Sequence, residues 1–302
     1  MAQNTGLYRA FGIDFQSALA LPELRAGSDG EGGVVTITLA PARCPGDAVV
    51  IETGVAVGPQ SFWMDVPGVV RLLVRQGREI AVELADGATE SAARAFLLGS
   101  AVGALLHQRG LLPIHASAVE IGGRAIAFAG HSGAGKSTMA LHLTRRGHRL
   151  LCDDIWAIDT VRSAPVVWPG LSNVKLWRET LAAVGRETDG LEQVLPSLDK
   201  YRLPVDRLAA YEPYPIGNIF NLVSGAGNMS PTVVPHSGAD ATGVLVANTF
   251  RGQLVKPMGQ ARRHFEQCLG IARDAGVQQL TRPWAINQLH ASCALVEDYV
   301  TK

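Results

Sequence analysis

The sequence predicts an α/β protein with a smaller β-rich domain at its N-terminal end, and three observations lead to that fold class. Residues 1–86 contain short stretches of β-branched and alternating apolar residues, the pattern of strands. The centre of residues 89–108 is apolar nearly all round when placed on a helix. Beyond residue 109, a strand, a glycine-rich loop, a helix and another strand follow one another, which is the order of a βαβ unit.

Four segments of the N-terminal region are predicted strands. Residues 34–39 (VVTITL) are rich in β-branched side chains, and residues 79–84 (EIAVEL) alternate polar and apolar side chains as a half-buried strand does. Residues 61–66 and 69–74 flank a Pro-Gly pair, which predicts a turn between two strands.

The next segment predicts a buried helix and a domain boundary. The centre of residues 89–108 is apolar on all sides, which is typical of a helix packed between two layers. Gly110 is a suitable helix end, and Pro113 prevents the helix from continuing. We therefore predict a β-rich domain over residues 1–108, ending in this helix, and a second domain over residues 109–302.

The second domain shows alternating strand and helix patterns. Its predicted elements are strands over 116–120, 124–129 and 148–158, helices over 136–146, 259–275 and 284–299, and a surface loop over 185–200. A Gly-Gly pair separates the first two strands, and Gly147 ends the first helix.

Composition limits the classes of partner. The 302 residues carry 27 Lys and Arg against 27 Asp and Glu, so no basic excess indicates a nucleic acid or a membrane surface as a partner. The longest mostly apolar run, residues 95–106, is shorter than the roughly 20 residues that a membrane span needs. Residues 1–12 lack the pattern of a signal peptide. Four cysteines without a C-x-x-C pair predict free thiols and a cytoplasmic location.

One glycine-rich loop carries the most specific motif. Residues 130–137 (GHSGAGKS) match G-x-x-x-x-G-K-[ST] at every fixed position. In such a loop the backbone N–H groups and the following helix face phosphate oxygens, the lysine reaches the β- and γ-phosphates, and the serine hydroxyl binds Mg²⁺. We therefore expect ATP or GTP with Mg²⁺, and no base-contacting motif decides between the two nucleotides. The expected contacts are Gly130, Ser132, Gly133, Ala134, Gly135, Lys136, Ser137 and Thr138.

An acidic pair and a histidine are further candidates. Asp153 and Asp154 follow the strand after the loop, where one carboxylate can bind Mg²⁺ and the other can accept a proton from an attacking hydroxyl. Adjacent residues of a strand point to opposite faces, so both reach the site only if the chain turns there, and either could instead cap a turn. For His115, which precedes the first strand of the domain, position alone favours a structural role over a functional one.

Taken together, these residues resemble a known family. The stretch HASAV at 115–119, the loop at 130–138 and GHRLLCDD at 147–154 are similar to the catalytic domain of HPr kinase/phosphorylase and its relatives. That family combines a P-loop, a double Asp about one helix later, and a His before the strand that leads into the loop. The resemblance implies a P-loop kinase core of the HPr kinase/phosphoenolpyruvate carboxykinase type and ATP-dependent phosphorylation of a serine.

The resemblance also implies roles for individual residues. Lys136, Asp153 and His115 would be catalytic, with Asp153 as the base and His115 near the transferred phosphate or orienting the catalytic aspartate. Asp154 would bind Mg²⁺ together with Ser137.

The chain resembles more closely the HPr-kinase-like tailoring kinases of lasso-peptide gene clusters. Four short stretches carry this resemblance: YRAFG at 8–12, LPEL at 21–24, KYRLP at 200–204 and NTFR at 248–251. Such enzymes phosphorylate the C-terminal serine of a precursor peptide, so the resemblance implies a peptide substrate.

Basic residues in and near these stretches are candidates for substrate binding. Lys200, Arg202 and Arg251 could bind the transferred phosphate or a peptide carboxylate, and Lys175 is a further candidate. The alternative is that each is an exposed charge that keeps a loop soluble.

Three functional hypotheses follow. The first is a serine kinase that acts on a lasso precursor peptide. The second is a kinase/phosphorylase of an HPr-type carrier protein, although PGLSNVKLW at 169–177 differs from the LEIRGLGII-like signature of the bifunctional enzyme. The third is a nucleotide-binding regulator without transfer chemistry. The sequence leaves the state of assembly open, including a homo-oligomer.

Overall fold

The first half of the chain is built on one sheet. The structure, a computed structural model, describes residues 5–27, 34–162, 164–227, 229–284 and 288–301. The strands of this sheet are β1 (Gly6–Ala10), β2 (Ile13–Ser17), β3 (Arg25–Ala26), β4 (Val35–Leu39), β5 (Val49–Glu52), β6 (Val55–Gly58), β7 (Ser61–Val66), β8 (Val70–Arg75) and β9 (Glu79–Leu84). Their spatial order is β3-β1-β2-β4-β9-β8-β7-β6-β5. The four strands predicted in this region correspond to β4, β7, β8 and β9 and are confirmed.

A buried helix follows the sheet, as predicted. It consists of α1 (Glu90–Phe96), a π-helical turn (Leu97–Ala101) and α2 (Val102–Gln108). Thr89 caps its start, because the Thr89 hydroxyl accepts a hydrogen bond from the Ala92 backbone N–H. The apolar residues of the helix pack in one core with those of the sheet. The domain division at residue 108 stays a prediction.

The second half of the chain contains two further sheets. Their strands are β10 (Leu112–Ile114), β11 (Ala116–Ile121), β12 (Arg124–Ala129), β13 (Arg149–Cys152), β14 (Trp156–Asp159), β15 (Val166–Val167), β16 (Asn173–Trp177), β17 (Glu192–Leu195), β18 (Leu198–Pro204), β19 (Tyr214–Gly225), β20 (Thr232–His236) and β21 (Gly276–Pro283). The accompanying helices are α3 (Lys136–Arg145), α4 (Arg178–Ala183), α5 (Gly238–Ala247), α6 (Ala261–Asp274) and α7 (Leu289–Val300), with a 3₁₀ turn at Gly252–Leu254. Strands β16, β18 and β17 form the small sheet.

Strand β12 lies at the centre of the larger of these sheets and is buried on both faces. It pairs with β11 antiparallel and with β19 parallel. Because side chains of a strand alternate between faces, its three alanines pack in the core that α5 and α6 share, whereas Ile126 and Phe128 pack in the core that α3 and α7 share. Helices therefore cover both faces of the sheet, and the predicted α/β fold class is confirmed.

The pairing of three strands defines one edge of this sheet. Because β11 is antiparallel to both β12 and β13, the carboxyl ends of β12 and β13 lie at the same edge as the amino end of β11. The glycine-rich loop follows β12, Asp153 follows β13, and His115 precedes β11. Topology alone thus brings these three parts of the chain to one place.

Three details differ from the sequence prediction. The helix predicted over residues 284–299 is described as α7, which begins at Leu289 and ends at Val300. The strand predicted over residues 148–158 is two strands, β13 and β14, because Asp154 adopts φ of 73° and turns the chain. The surface loop predicted over residues 185–200 contains β17 and the start of β18. Within the described residues, no helix combines the length and apolar character needed to cross a bilayer.

Candidate functional site

The glycine-rich loop between β12 and α3 has an unusual backbone. Gly130, Gly133 and Gly135 have φ of 135°, 85° and 88°, values that residues with a side chain rarely adopt. At Gly135 a Cβ atom would clash with Nη2 of Arg282, so a side chain there would displace the Arg282 guanidinium. Helix α3 begins at the next residue, and the free N–H groups of its first turn face the loop. The loop therefore forms a cradle that suits a phosphate group.

Lys136 is the cation of this cradle. Its side chain is buried, and Nζ donates hydrogen bonds to the backbone oxygens of Gly130 at 2.9 Å and His131 at 3.1 Å. Burial lowers the pKa of the Lys136 ammonium, while the charges of Asp154 and Asp153 oppose that shift. The ammonium is therefore held at the loop by carbonyl groups and by a nearby negative potential.

Asp153 is a buried carboxylate whose orientation two other strands fix. Its Oδ1 accepts a hydrogen bond from the Ser117 hydroxyl at 2.5 Å, and its Oδ2 accepts one from the Lys175 backbone N–H at 2.9 Å. Ser117 belongs to β11 and Lys175 to β16. A carboxylate oxygen has two lone pairs, so each oxygen can accept one further hydrogen.

Asp154 lies in a different electrostatic environment from its neighbour. Its Oδ2 is 2.7 Å from the Lys175 ammonium, and its Oδ1 is 3.2 Å from Nδ1 of His115. Burial alone would raise the pKa of Asp154, but the Lys175 charge and the His115 hydrogen bond outweigh it and hold the pKa well below its usual range. Asp154 is therefore a carboxylate at any physiological pH.

His115 lies between the acidic pair and the segment after α5. Its Nδ1 is 3.0 Å from the Asp154 backbone oxygen, and its backbone N–H donates to the Asn248 oxygen at 2.7 Å. The His115 ring is tilted against that of Phe250, with ring centroids 5.8 Å apart. The imidazole thus has one fixed orientation beside Asp154.

A turn at residues 248–251 supports both the loop and His115. The Asn248 side chain accepts a hydrogen bond from the Gly130 backbone N–H at 2.8 Å, while its backbone oxygen accepts from His115. On the far side of the turn, Nε2 of His107 in α2 is 2.8 Å from the Phe250 oxygen. Burial lowers the pKa of His107 to about 4, so the neutral imidazole donates this hydrogen bond.

One cavity of about 430 Å³ collects most of the predicted site residues. Its walls include His115, Ser132, Gly133, Gly135, Lys136, Ser137, Thr138, Asp153 and Asp154. A second cavity, of about 370 Å³, lies next to it and shares His115 and Ser132 with it. Gly130 lines this second cavity.

The three predicted substrate-binding residues have different environments. Lys200 lines the first cavity, with Nζ 5.7 Å from the centroid of the Trp177 ring. Arg251 lines the second cavity and donates a hydrogen bond to the Ser100 hydroxyl at 2.6 Å.

Arg202 is buried rather than presented to either cavity. Its side chain is 5% exposed, with Nε 3.3 Å from a Glu23 oxygen and Nη1 3.2 Å from a Glu192 oxygen. Glu23 also pairs with Arg94 of α1. These contacts indicate that Arg202 joins the small sheet to the N-terminal half of the chain.

Several residues of the site were not named from the sequence. The sequence could have identified Ser117 as a site residue, because it lies two residues after His115 in the same motif. Asn248 belongs to a stretch in which only the arginine was singled out. Arg282, which donates to the Ala134 backbone oxygen at 2.9 Å, had no signal because it lies almost 150 residues beyond the loop. The sequence analysis gave Lys175 only as a further candidate.

The donor set fits Mg²⁺ bound partly through phosphate. Among the described residues, no three His, Cys, Asp or Glu side chains form a group that could hold a metal ion by themselves. Mg²⁺ commonly uses only one or two protein carboxylates, keeps several waters and takes its other ligands from substrate phosphates. Ser137 and the acidic pair line the same cavity and offer such a set of oxygens.

Comparison with known proteins identifies the segment that contains the site. Residues 111–171 match the family model described as HPr Serine kinase C-terminal domain. Over 60 residues the chain is 40% identical to the HPr kinase/phosphorylase proteins of two strains of Treponema pallidum. This match covers 20% of the chain and 19% of each relative, so it spans about a fifth of the length of these proteins.

A solved structure is similar at a lower level. The Hpr(Ser) kinase/phosphatase from Coxiella burnetii is 14% identical, with a TM-score of 0.34, covering 62% of this chain and 95% of that chain. A likeness at this TM-score does not establish a common fold. The family model matches residues 111–171, which contain His115, the glycine-rich loop and both aspartates. Through that segment, the chain is similar to the HPr kinase-like proteins.

Proposed function

We propose that this protein is an ATP-dependent serine kinase that phosphorylates a peptide or small protein. The observation that carries the proposal is that Lys136, Ser137, His115 and both aspartates line one cavity. A phosphate cradle alone would serve binding, whereas phosphoryl transfer also needs a proton acceptor and a metal partner. The acidic pair at the same sheet edge offers both.

In this proposal the glycine-rich loop binds the triphosphate of ATP. Its backbone N–H groups and the start of α3 contact phosphate oxygens, and Lys136 leaves the loop carbonyls to pair with the β- and γ-phosphates. Exchange of neutral carbonyl partners for charged phosphate oxygens favours this movement, because charge-assisted hydrogen bonds are the stronger ones. GTP would fit the loop equally well.

Mg²⁺ would be held by Ser137 and Asp154. The low pKa of Asp154 keeps that carboxylate ionised, which suits a metal ligand. The ion would neutralise charge on the β- and γ-phosphates. His115 then orients Asp154 through the contact between Nδ1 and Oδ1.

Asp153 would act as the general base. The oxygen of the acceptor serine attacks the γ-phosphorus while its proton passes to an Asp153 oxygen, the bond from the γ-phosphorus to the β–γ bridging oxygen breaks, and ADP leaves. Asp153 suits this role better than Asp154, because the low pKa of Asp154 makes it the weaker proton acceptor. Lys136 offsets the charge that develops on the transferred group.

The acceptor in this proposal is the serine of a lasso precursor peptide. The second cavity supports a peptide acceptor, because it meets the first cavity at His115 and Ser132 and contains Arg251, which could bind a carboxylate. An HPr-type carrier protein is the alternative acceptor. The names of the two curated relatives favour that alternative over the 60 matched residues.

The proposal includes a location and a domain arrangement. We place the protein in the cytoplasm because its four cysteines are free, as expected in a reducing compartment. We also keep residues 1–108 as a β-rich domain attached to the kinase domain of residues 109–302.

The experiment measures transfer of label from γ-labelled ATP with Mg²⁺. The acceptors are a precursor peptide with a C-terminal serine, the same peptide with alanine at that position, and an HPr protein. We expect labelling of the serine peptide alone, and loss of about 10³-fold in rate for Asp153→Asn, the usual size of a general-base contribution. Asp47→Asn, a change at an exposed carboxylate, is the matched control.

Two outcomes would change the proposal. Labelling of HPr and not of the peptide would replace the acceptor and keep the kinase. Binding of ATP without labelling of any acceptor, by the wild type and Asp153→Asn alike, would favour a nucleotide-binding regulator.

A further inference from the structure

The tryptophans of the chain divide into two groups by exposure. Trp63, Trp156 and Trp168 are buried or half-buried, whereas Trp177 is 46% exposed and Trp284 is 53% exposed. Both exposed tryptophans line the 430 Å³ cavity that contains the glycine-rich loop. Exposed indoles lose the stabilisation that burial would give them, so two of them in one cavity indicate a ligand with a flat apolar surface.

Trp284 is tied to the glycine-rich loop through Arg282. The Arg282 guanidinium is buried, donates to the Ala134 backbone oxygen at 2.9 Å, and occupies the space that a side chain at Gly135 would need. Its Cζ lies 5.8 Å from the centroid of the Trp284 ring. The position of the indole therefore depends on the same contacts that shape the phosphate cradle.

Trp177 belongs to the same cavity through the small sheet. It ends β16 two residues after Lys175, so the two side chains leave the same face of the strand. On β18, Lys200 pairs with Trp177 in register, and its ammonium lies 5.7 Å from the ring centroid. A cation against one part of an indole leaves the rest of its surface available for stacking.

The cavity is larger than a triphosphate requires. Sites for whole small molecules commonly measure about 300–1,000 Å³, and this one holds about 430 Å³. The part of the cavity where phosphate transfer would occur is lined by Asp153, Asp154 and His115. Trp284 and Leu289 supply apolar wall to the same cavity, and phosphate groups would gain nothing from apolar contacts.

We propose that Trp284 is the stacking platform for the base of the bound nucleotide and that Trp177 is a second wall of this base site. The inference rests on the proposed nucleotide function and adds a residue-level base site to it. Stacking on an indole accepts any base, since every base has a π-face. The site therefore binds ATP and GTP with similar affinity.

The test compares a nucleotide with its phosphate chain alone. Calorimetry measures the dissociation constants of ATP, GTP and inorganic tripolyphosphate, each with Mg²⁺, for the wild type, Trp284→Ala, Trp284→Phe and Trp177→Ala. Trp63→Phe is the control, because Trp63 lies in the N-terminal sheet and donates to the Ala42 backbone oxygen. Thermal unfolding of each variant checks that the variant is folded.

Trp284→Ala should weaken ATP and GTP at least 10-fold, about 1.4 kcal/mol, and change tripolyphosphate less than twofold. Trp284→Phe should retain most of the affinity, and Trp177→Ala should cost about threefold. Unchanged ATP affinity in folded Trp284→Ala would overturn the base site while the phosphate site stands. If neither ATP nor tripolyphosphate binds the wild type, the phosphate site and the base site are both wrong.

Discussion

Two sets of segments build the cavity, and they contribute different kinds of group. The segment from His115 to Asp154 supplies the phosphate cradle, the lysine and the acidic pair. The segments after residue 173 supply contacts to that machinery: Lys175 to both aspartates, Asn248 to Gly130, and Arg282 to Ala134. Groups that would meet the phosphates and Mg²⁺ thus come from one short stretch, and groups that hold them in position come from distant parts of the chain.

The two sets of residues should therefore respond differently to substitution. Loss of a group that contacts the transferred phosphate should lower the rate without unfolding the protein. Loss of a supporting group should act through geometry or stability. Four changes, ordered by the free energy expected for each, separate these two kinds of failure.

The largest effect is expected for Lys136→Ala. The change removes the cation that would face the β- and γ-phosphates, so kcat/KM should fall about 10³-fold, or about 4 kcal/mol. The free energy of unfolding should change little, because the wild-type ammonium contacts only backbone oxygens of its own loop. Steady-state kinetics and urea unfolding measure the two quantities, with exposed Lys256→Ala as control. Near-normal turnover would contradict the assignment of the loop.

Arg202→Ala should show the opposite pattern. Removing one partner of a buried ion pair leaves Glu23 with less compensation, which costs about 3 kcal/mol in the free energy of unfolding. Activity per folded molecule should stay unchanged, because Arg202 pairs with glutamates and does not line the cavity. Denaturant unfolding and kinetics at low temperature test both statements, with exposed Arg186→Ala as the matched control. A fall in kcat with stability retained would instead support a role in substrate binding.

His107 predicts a pH-dependent stability. Its pKa is about 4 in the folded chain, against about 6.5 in the unfolded chain, so the unfolded state binds more protons between these values. The stability that this neutral imidazole contributes is complete above pH 6.5 and is lost as the pH falls, by about 2 kcal/mol between pH 7 and pH 5.

His107→Gln removes this titration and retains a side-chain donor for the Phe250 oxygen. Urea unfolding at pH 7 and pH 5 should show a smaller loss of stability in the variant by about 2 kcal/mol. An identical pH dependence in both proteins would contradict a neutral, buried His107 that donates to the Phe250 oxygen.

The smallest effect is expected for Asn248→Ala. The change removes the acceptor of the Gly130 N–H and should weaken ATP binding about fivefold, or about 1 kcal/mol, with a smaller change in kcat. Calorimetry and kinetics separate the two effects. A loss of kcat as large as that of Lys136→Ala would remove the distinction between reacting and supporting groups.

Sequence patterns predicted the part of the site that is local. The glycine-rich loop, the helix after it and the alanine-rich strand before it each have a pattern that only one structure satisfies well, so β12 and α3 were predicted to within one residue at each end. The β-rich character of the N-terminal half was also readable, since β7, β8 and β9 have strong strand patterns.

The rest of the fold and of the site depends on contacts between residues that are far apart in the sequence. The break between β13 and β14 comes from the positive φ of Asp154, a residue whose type tolerates but does not require it. Arg202 was predicted to bind substrate, or else to be an exposed charge, because nothing near it in the sequence reveals Glu23, which lies almost 180 residues earlier. The exposure of Trp177 and Trp284 likewise became visible only when the cavity was assembled.

The most direct measurement is an experimental structure of the protein with Mg²⁺ and a non-hydrolysable ATP analogue. The account predicts that the triphosphate binds in the loop at residues 130–137 and that the γ-phosphate contacts Lys136. It also predicts that the oxygen of the acceptor would lie about 3–3.5 Å from the γ-phosphorus and within reach of Asp153. A γ-phosphate that points away from both aspartates, or a triphosphate bound outside this loop, would contradict it.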